Sequence, residues 1–178
     1  IGELRADSPL VTVALHRLLL AVLHRLFGPA SLDEWEKLWA AGRFDESALT
    51  GYFRRWRGRF DLFDADHPFY QTAQMETKEP LPPAALFDEK ACGNNPTLFD
   101  HSNDVTAATL SPPEAARGLV ARQAVSIGFG KSPTCTIAGR EVKTGYRSDA
   151  PVTRGLTLLM LGKNLFETLT SNLLTYRY

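Results

Sequence analysis

The stretch SPLVTVALHRLLLAVLHRLF, residues 8–27, decides the fold, because apolar side chains cover most of the circumference of one long predicted helix. Ser8 and Pro9 mark its start, since serine caps a helix N-terminus and proline fits the first helical position. Gly28 and Pro29 end it. A helix that is apolar nearly all round belongs in a core. Its narrow polar stripe consists of His16, Arg17, His24 and Arg25.

Outward from this helix, further capping residues predict four more. Ser31, Asp45, Ser111 and Asn164 each precede a segment with helical spacing of apolar residues, and Ser31 and Ser111 are followed three positions later by glutamate. We expect the closing helix to extend to Leu174. Residues 60–71 are predicted as a well-packed irregular segment and residues 75–83 as a loop. Residues 131–150 are predicted as a hairpin or a loose loop, and residues 156–161 as a buried strand. The predicted fold class is α+β, predominantly helical with a few short strands and long loops.

The bulk composition is ordinary for one globular domain, predicted to span residues 1–178. Hydrophobic residues make up 44% and charged residues 22% of the chain. Lys+Arg and Asp+Glu both total 20, so the net charge is zero. Because a freestanding nucleic-acid binder is usually basic, any contact with nucleic acid must be local or must rely on basic partners.

We expect Cys92 and Cys135 to be reduced thiols of a cytoplasmic protein. The longest apolar segment, residues 18–23, is too short to span a membrane.

An acid–base site is conceivable where Asp64 and Asp66 precede His67, since a carboxylate beside a histidine can move protons. Aspartates before turns are common for structural reasons as well. The histidines and cysteines show no metal-ligand spacing. We therefore predict neither catalytic residues nor a bound metal or cofactor.

Glycines follow the helix that opens at Ser111. Gly128 and Gly130 allow a close backbone approach to a ligand, and Lys131 adds a positive charge there. Lys143 and Arg147 are candidate neighbours. A helix terminator with a left-handed glycine explains the same residues. The Gly-Lys-Ser ending at Ser132 is not a phosphate loop, because the upstream glycine is missing and a helix, not a strand, precedes it.

Several segments, taken in order, resemble the CasA family, the large subunit of the type I-E CRISPR Cascade complex. They are HPFYQ at 67–71, GNNPTLFDHSND at 93–104, LSPPEAAR at 110–117, GFGKS at 128–132, DAPVTRG at 149–155 and the segment 164–174. The resemblance covers nearly the whole chain. It implies most of the mixed α/β N-terminal domain of a larger protein, without the C-terminal four-helix bundle. A zinc site of some relatives would lie beyond Tyr178.

The resemblance also implies a function in antiviral defence. The subunit is non-catalytic and reads the short motif that flanks the target, the PAM, from the minor groove of duplex DNA. Its glycine-containing loop matches Gly128, Phe129, Gly130 and Lys131. A second loop, which docks against the Cascade core near the guide RNA, matches Asn94, Asn95, Phe99, Asp100, His101 and Asn103. The implied partners are other Cascade subunits, CRISPR RNA, double-stranded target DNA and a recruited helicase-nuclease.

Two alternatives remain open on the sequence. One is a small hydrolase that uses Asp64 or Asp66 with His67. The other is a purely structural interaction module, which differs from the first interpretation in having no preference for a DNA sequence.

Overall fold

A computed structural model describes residues 2–78, 80–92, 109–128 and 130–175. In chain order the regular elements are α1 (Pro9–Phe27), α2 (Leu32–Ala41), α3 (Glu46–Arg55), β1 (Met75–Thr77), α4 (Pro112–Val125), β2 (Cys135–Ile137), β3 (Arg140–Val142) and α5 (Leu165–Ser171). Single 3-10 turns occupy Arg57–Phe60 and Pro83–Leu86. The α+β, predominantly helical prediction is confirmed. The chain forms two compact units, residues 1–57 with 156–178, and residues 58–155; the single incomplete domain stays a prediction.

Three of the predicted caps of the first unit make the expected side-chain hydrogen bond, whereas Ser8 precedes α1 without one. The Ser31 hydroxyl accepts a hydrogen bond from the Glu34 amide, and Asp45 accepts one from Ala48. Asn164 accepts one from the Glu167 amide at 2.9 Å and so starts α5. These side chains satisfy N–H groups that have no partner inside the helix.

The core of the first unit lies where α1 and α2 meet α5. Leu23, Leu169 and Leu173 are buried there. Phe44 packs on both Phe27 and Phe166, with ring centroids 5.6 and 4.9 Å apart. By length and composition alone, α1 is long and apolar enough to cross a membrane, but the core helices of soluble proteins meet the same criterion. Leu23, near the end of α1, belongs to the core of this unit.

The predicted buried strand at 156–161 is wrong. The segment has no regular secondary structure, and Leu156, Leu158 and Leu161 are 88%, 77% and 69% exposed. The Asn172 side chain bonds both the N–H and the C=O of Met160, at 3.0 and 2.8 Å. A side-chain amide thus occupies backbone groups that a neighbouring strand would otherwise use. The last helix also ends earlier than expected, at Ser171, although Leu173 beyond it is buried.

The second unit combines a small sheet with α4. β2 pairs with β3 as the predicted hairpin, whose turn residues Ala138 and Gly139 both have positive φ, at 50° and 73°. Two central residues with positive φ are typical of a type I′ hairpin turn. β1 pairs with β2, so the predicted loop at 75–83 contains a strand. The 3-10 turn at Pro83–Leu86 packs on α4, and Arg122 of α4 forms an ion pair of 2.6 Å with Asp88.

Adjacent leucines test the core of the first unit. Leu173 is 2% exposed and Leu174 is 72% exposed. We expect Leu173→Ala to lower the free energy of unfolding by about 2–5 kcal/mol, because it removes buried methyl groups and leaves a cavity. Leu174→Ala should change it by less than about 0.5 kcal/mol. Denaturant unfolding measures both, and equal effects would contradict this placement of the core.

Candidate functional site: the glycine loop of the second unit

The glycine loop, residues 127–132, leaves the end of α4 and runs antiparallel to a return segment, residues 144–153. Lys131 forms an isolated antiparallel bridge with Tyr146. Hydrogen bonds flank it, from the Ser132 N–H to the Gly145 carbonyl and from the Arg147 N–H to the Gly130 carbonyl, each 3.0 Å long. The ladder therefore fixes the backbone on both sides of Lys131.

The return segment also holds the end of α4. The Ala150 and Val152 N–H groups donate to the carbonyls of Ser126 and Ala124, at 2.8 and 3.0 Å. Since the last carbonyls of a helix have no partner within it, these bonds satisfy two of them. The helix ends in extended backbone at Ser126, so a left-handed glycine cap does not explain this sequence.

Gly128 is enclosed by backbone. A Cβ at this position would lie 2.5 Å from both the Arg147 carbonyl oxygen and the Asp149 nitrogen, and closer still to the backbone carbon between them. The Gly128 N–H donates to the Asp149 carboxylate at 2.8 Å, and the other oxygen of that carboxylate accepts from Arg154 at 3.3 Å. The bare Cα of Gly128 thus admits the return segment rather than an external ligand.

Gly130 has the opposite surroundings. Its φ is +74°, a left-handed conformation that other residues adopt at a cost, and nothing lies within 4 Å of where its Cβ would point. Gly130 and Lys131 are exposed. They form the open edge of the loop.

Tyr146 is a site residue that the sequence did not single out. It is 83% exposed and lies directly opposite Lys131 in the bridge. Directly opposed residues of an antiparallel pair project from the same face. The edge therefore presents a cation and a phenol ring side by side. The position of Tyr146 between Gly145 and Arg147 was the available signal, but the pairing partner could not be found without the fold.

An open cavity of about 950 Å³ borders the loop, and Ile127, Ser132 and Arg147 contribute to its wall. Asp64, Asp66 and His67, the residues of the alternative hydrolase site, do not line it. The Asp64 carboxylate instead accepts hydrogen bonds from the backbone N–H groups of His67 and Asp66, at 2.7 and 3.0 Å. These bonds hold the pKa of Asp64 below its ordinary value, and the bond from the His67 N–H has the larger effect. Asp64 has the geometry of a turn-forming residue.

Other expected sites fall partly outside the described residues. Phe129 and the docking-loop residues Asn94, Asn95, Phe99, Asp100, His101 and Asn103 lie there. In the described part of the chain, no three His, Cys, Asp or Glu residues group as metal ligands. No disulfide joins Cys92 to Cys135.

The class of protein follows from comparing the sequence with models of known protein families. A family model described as CRISPR-associated protein Cse1 matches residues 1–177. The chain therefore belongs to the Cse1 (CasA) family of CRISPR-associated proteins, and the resemblance in the sequence is confirmed.

Particular relatives agree with this assignment. The CRISPR-associated protein CasA/Cse1 of Thermus thermophilus is 40% identical over 176 residues, which are 98% of this chain and 34% of the relative. A crystal structure of CasA from Thermus thermophilus superimposes with a TM-score of 0.77 at 34% identity, covering 98% of this chain and 33% of that one. A chain described as CRISPR RNA-guided surveillance complex, pre-nicking, shares the fold, with a TM-score of 0.80 at 23% identity over 97% of this chain and 36% of that one. The present chain thus spans about one third of the length of these relatives.

The two glycines should respond differently to substitution. Any side chain added at Gly128 conflicts with the backbone atoms that lie 2.5 Å from the position of its Cβ. We expect Gly128→Ala to lower the melting temperature by several degrees, because the return segment must move. Gly130→Asn should be tolerated, since asparagine adopts left-handed backbone readily. Thermal melting distinguishes them, and a Gly128→Ala protein as stable as wild type would refute the close approach.

Proposed function

We propose that the chain is part of the non-catalytic large subunit of a type I-E Cascade surveillance complex, and that its glycine loop reads the PAM in duplex DNA. The observation that carries the proposal is the exposed edge formed by Gly130, Lys131 and Tyr146. The edge has little bulk at Gly130, where no Cβ projects, and it carries a cation beside that point. A minor groove about 6 Å wide accepts bare backbone where a side chain would clash.

The family supports the same proposal. The relatives are CasA/Cse1 proteins, and the fold recurs in a complex named for RNA-guided surveillance. In such systems guide-RNA pairing reads the target sequence, while protein reads a short flanking motif and the shape of the duplex. Other Cascade subunits, CRISPR RNA, target DNA and a recruited helicase-nuclease are the proposed partners, in the cytoplasm of a bacterium.

Charge supports this division of work. The net charge of the chain is zero, so strong sequence-independent attraction to DNA must come from neighbouring subunits or from local clusters. A single exposed lysine at the loop edge can contact a phosphate or a base-edge acceptor, and phosphate contacts position a protein without encoding sequence. The backbone at Gly130 is then the element that senses the groove.

Gly130→Asn and Gly130→Asp test the proposal in the assembled complex. Both residues tolerate left-handed backbone, but both place a side chain at the open edge, and aspartate adds a charge that DNA repels. We expect Gly130→Asn to weaken capture of a PAM-containing duplex by at least about tenfold, the cost of roughly one lost base-reading contact, and Gly130→Asp to weaken it further. Gel-shift titration with PAM and non-PAM duplexes measures this.

Gly139→Asn is the matched control, because Gly139 also has positive φ (73°) and open space around it but lies in the β2–β3 turn. It should bind like wild type. If Gly130→Asn retained wild-type affinity and PAM preference, the loop would not be the reader.

The docking loop supplies a second test, since Phe99 matches a family aromatic that is important for target binding. We expect Phe99→Ala to weaken Cascade assembly or target binding, whereas Phe99→Tyr, which keeps the ring, should behave like wild type. Size-exclusion chromatography of the co-expressed complex and a target-binding titration measure the two effects. Normal assembly together with normal affinity of Phe99→Ala would remove this loop from the proposal.

A further inference from the structure

Two arginines make cation–π contacts with one tryptophan in the first unit. The guanidinium carbons of Arg25, from α1, and Arg55, from α3, lie 5.3 and 5.4 Å from the Trp56 ring centre. Both arginines are exposed, while Trp56 is half-buried. Because both side chains are exposed, the N–H groups that do not face the ring remain open to an acceptor.

Neither arginine has a carboxylate partner among the described residues, where the ion pairs are Arg5–Glu3, Arg122–Asp88 and Arg154–Asp149. The helix dipole alone would account for a cation at the C-terminal end of α3. Arg25 lies in the last turn of α1 in the same way, but neither helix dipole explains why two helices bring their cations to the same ring. Two guanidinium groups that meet at one ring without a carboxylate partner can donate charge-assisted hydrogen bonds to a phosphate.

The site also has room for a ligand. Arg25, Tyr52, Arg55 and Trp56 line a cleft of about 380 Å³ with Leu26 and Gly51. Gly51 lies inside α3, where glycine costs roughly 1 kcal/mol relative to alanine. No atom lies within 4 Å of where its Cβ would be. Packing therefore does not require glycine here, and the missing side chain leaves more space at this point of the cleft wall.

We propose that Arg25 and Arg55 bind the phosphodiester backbone of double-stranded DNA, independently of its sequence. Duplex DNA fits better than a single strand because the aromatic face is already occupied by arginines and cannot serve as a platform for unpaired bases. The inference rests on the proposed function in one respect, that the subunit meets duplex DNA. It adds a sequence-independent contact to the sequence-reading loop.

The experiment uses full-length protein assembled with its Cascade partners and carrying both Arg25→Gln and Arg55→Gln. We expect its affinity for PAM and non-PAM duplexes to fall by the same factor, at least about tenfold at low salt, and the slope of log K against log[salt] to become shallower by about 1.8 for two lost phosphate contacts. Gly51→Ala, which adds one methyl group to the cleft wall while favouring the helix, should raise the melting temperature and weaken duplex binding.

The matched control carries Arg17→Gln and Arg43→Gln, which remove two exposed arginines of the same unit. The proposal requires this control to keep the wild-type salt slope. It is overturned if the Arg25/Arg55 variant binds like the control, or if its loss appears only with single-stranded RNA or polyglutamate, which would indicate an RNA or an acidic protein as the partner. Failure of the proposed function has a different signature, namely a wild-type complex that does not distinguish PAM from non-PAM duplexes.

Discussion

The close approach of the Gly128 backbone to residues 147–149 is the constraint on which the candidate site depends. Because Gly128 has no Cβ, residues 124–132 and the return segment come close together. Backbone hydrogen bonds join the two segments at Ala124, Ser126, Gly130 and Ser132. The Asp149 carboxylate completes the contact by accepting the Gly128 N–H. Hydrogen bonds on both sides of Lys131 restrict the backbone conformations open to Gly130 and Lys131. Such preorganisation matters for recognition, since a contact that must first be ordered loses part of its free energy to entropy.

The two glycines therefore have different physical roles, although their sequence context looks the same. Gly128 is required by packing inside the second unit, whereas the side chain missing at Gly130 leaves open space outside it. In sequence, both read as positions where backbone approaches a ligand. Only the surroundings separate them, because the atoms that meet Gly128 come from about 20 residues further along the chain. Gly130 thus forms the exposed edge of the loop, and Gly128 forms the packed contact that holds the loop against residues 147–149.

How much the sequence predicts follows from the range of the interactions. Ser31, Asp45 and Asn164 were correctly predicted as caps, because a capping side chain bonds an amide three residues away. β1 was missed, because three residues carry no periodicity and their partner lies about 60 positions later. Residues 156–161 were wrongly predicted as buried, because an apolar run reports only a tendency to be buried and not a partner. Lys131 was predicted from its own local context. Its neighbour Tyr146 was not, because the pairing of the two residues depends on the fold.

The neutral composition makes the placement of cations more informative than their number. Twenty basic residues are balanced by twenty acidic ones, so a duplex would gain little from the chain as a whole. Lys131 lies opposite Tyr146 at a loop edge, and Arg25 and Arg55 both contact Trp56. The first lies beside bare backbone, which suits contact with a groove, and the second presents planar donors, which suit phosphate. A protein that must sample many DNA sites gains from separating groove contacts from phosphate contacts. A weak sequence-independent contact then permits release wherever the groove does not match.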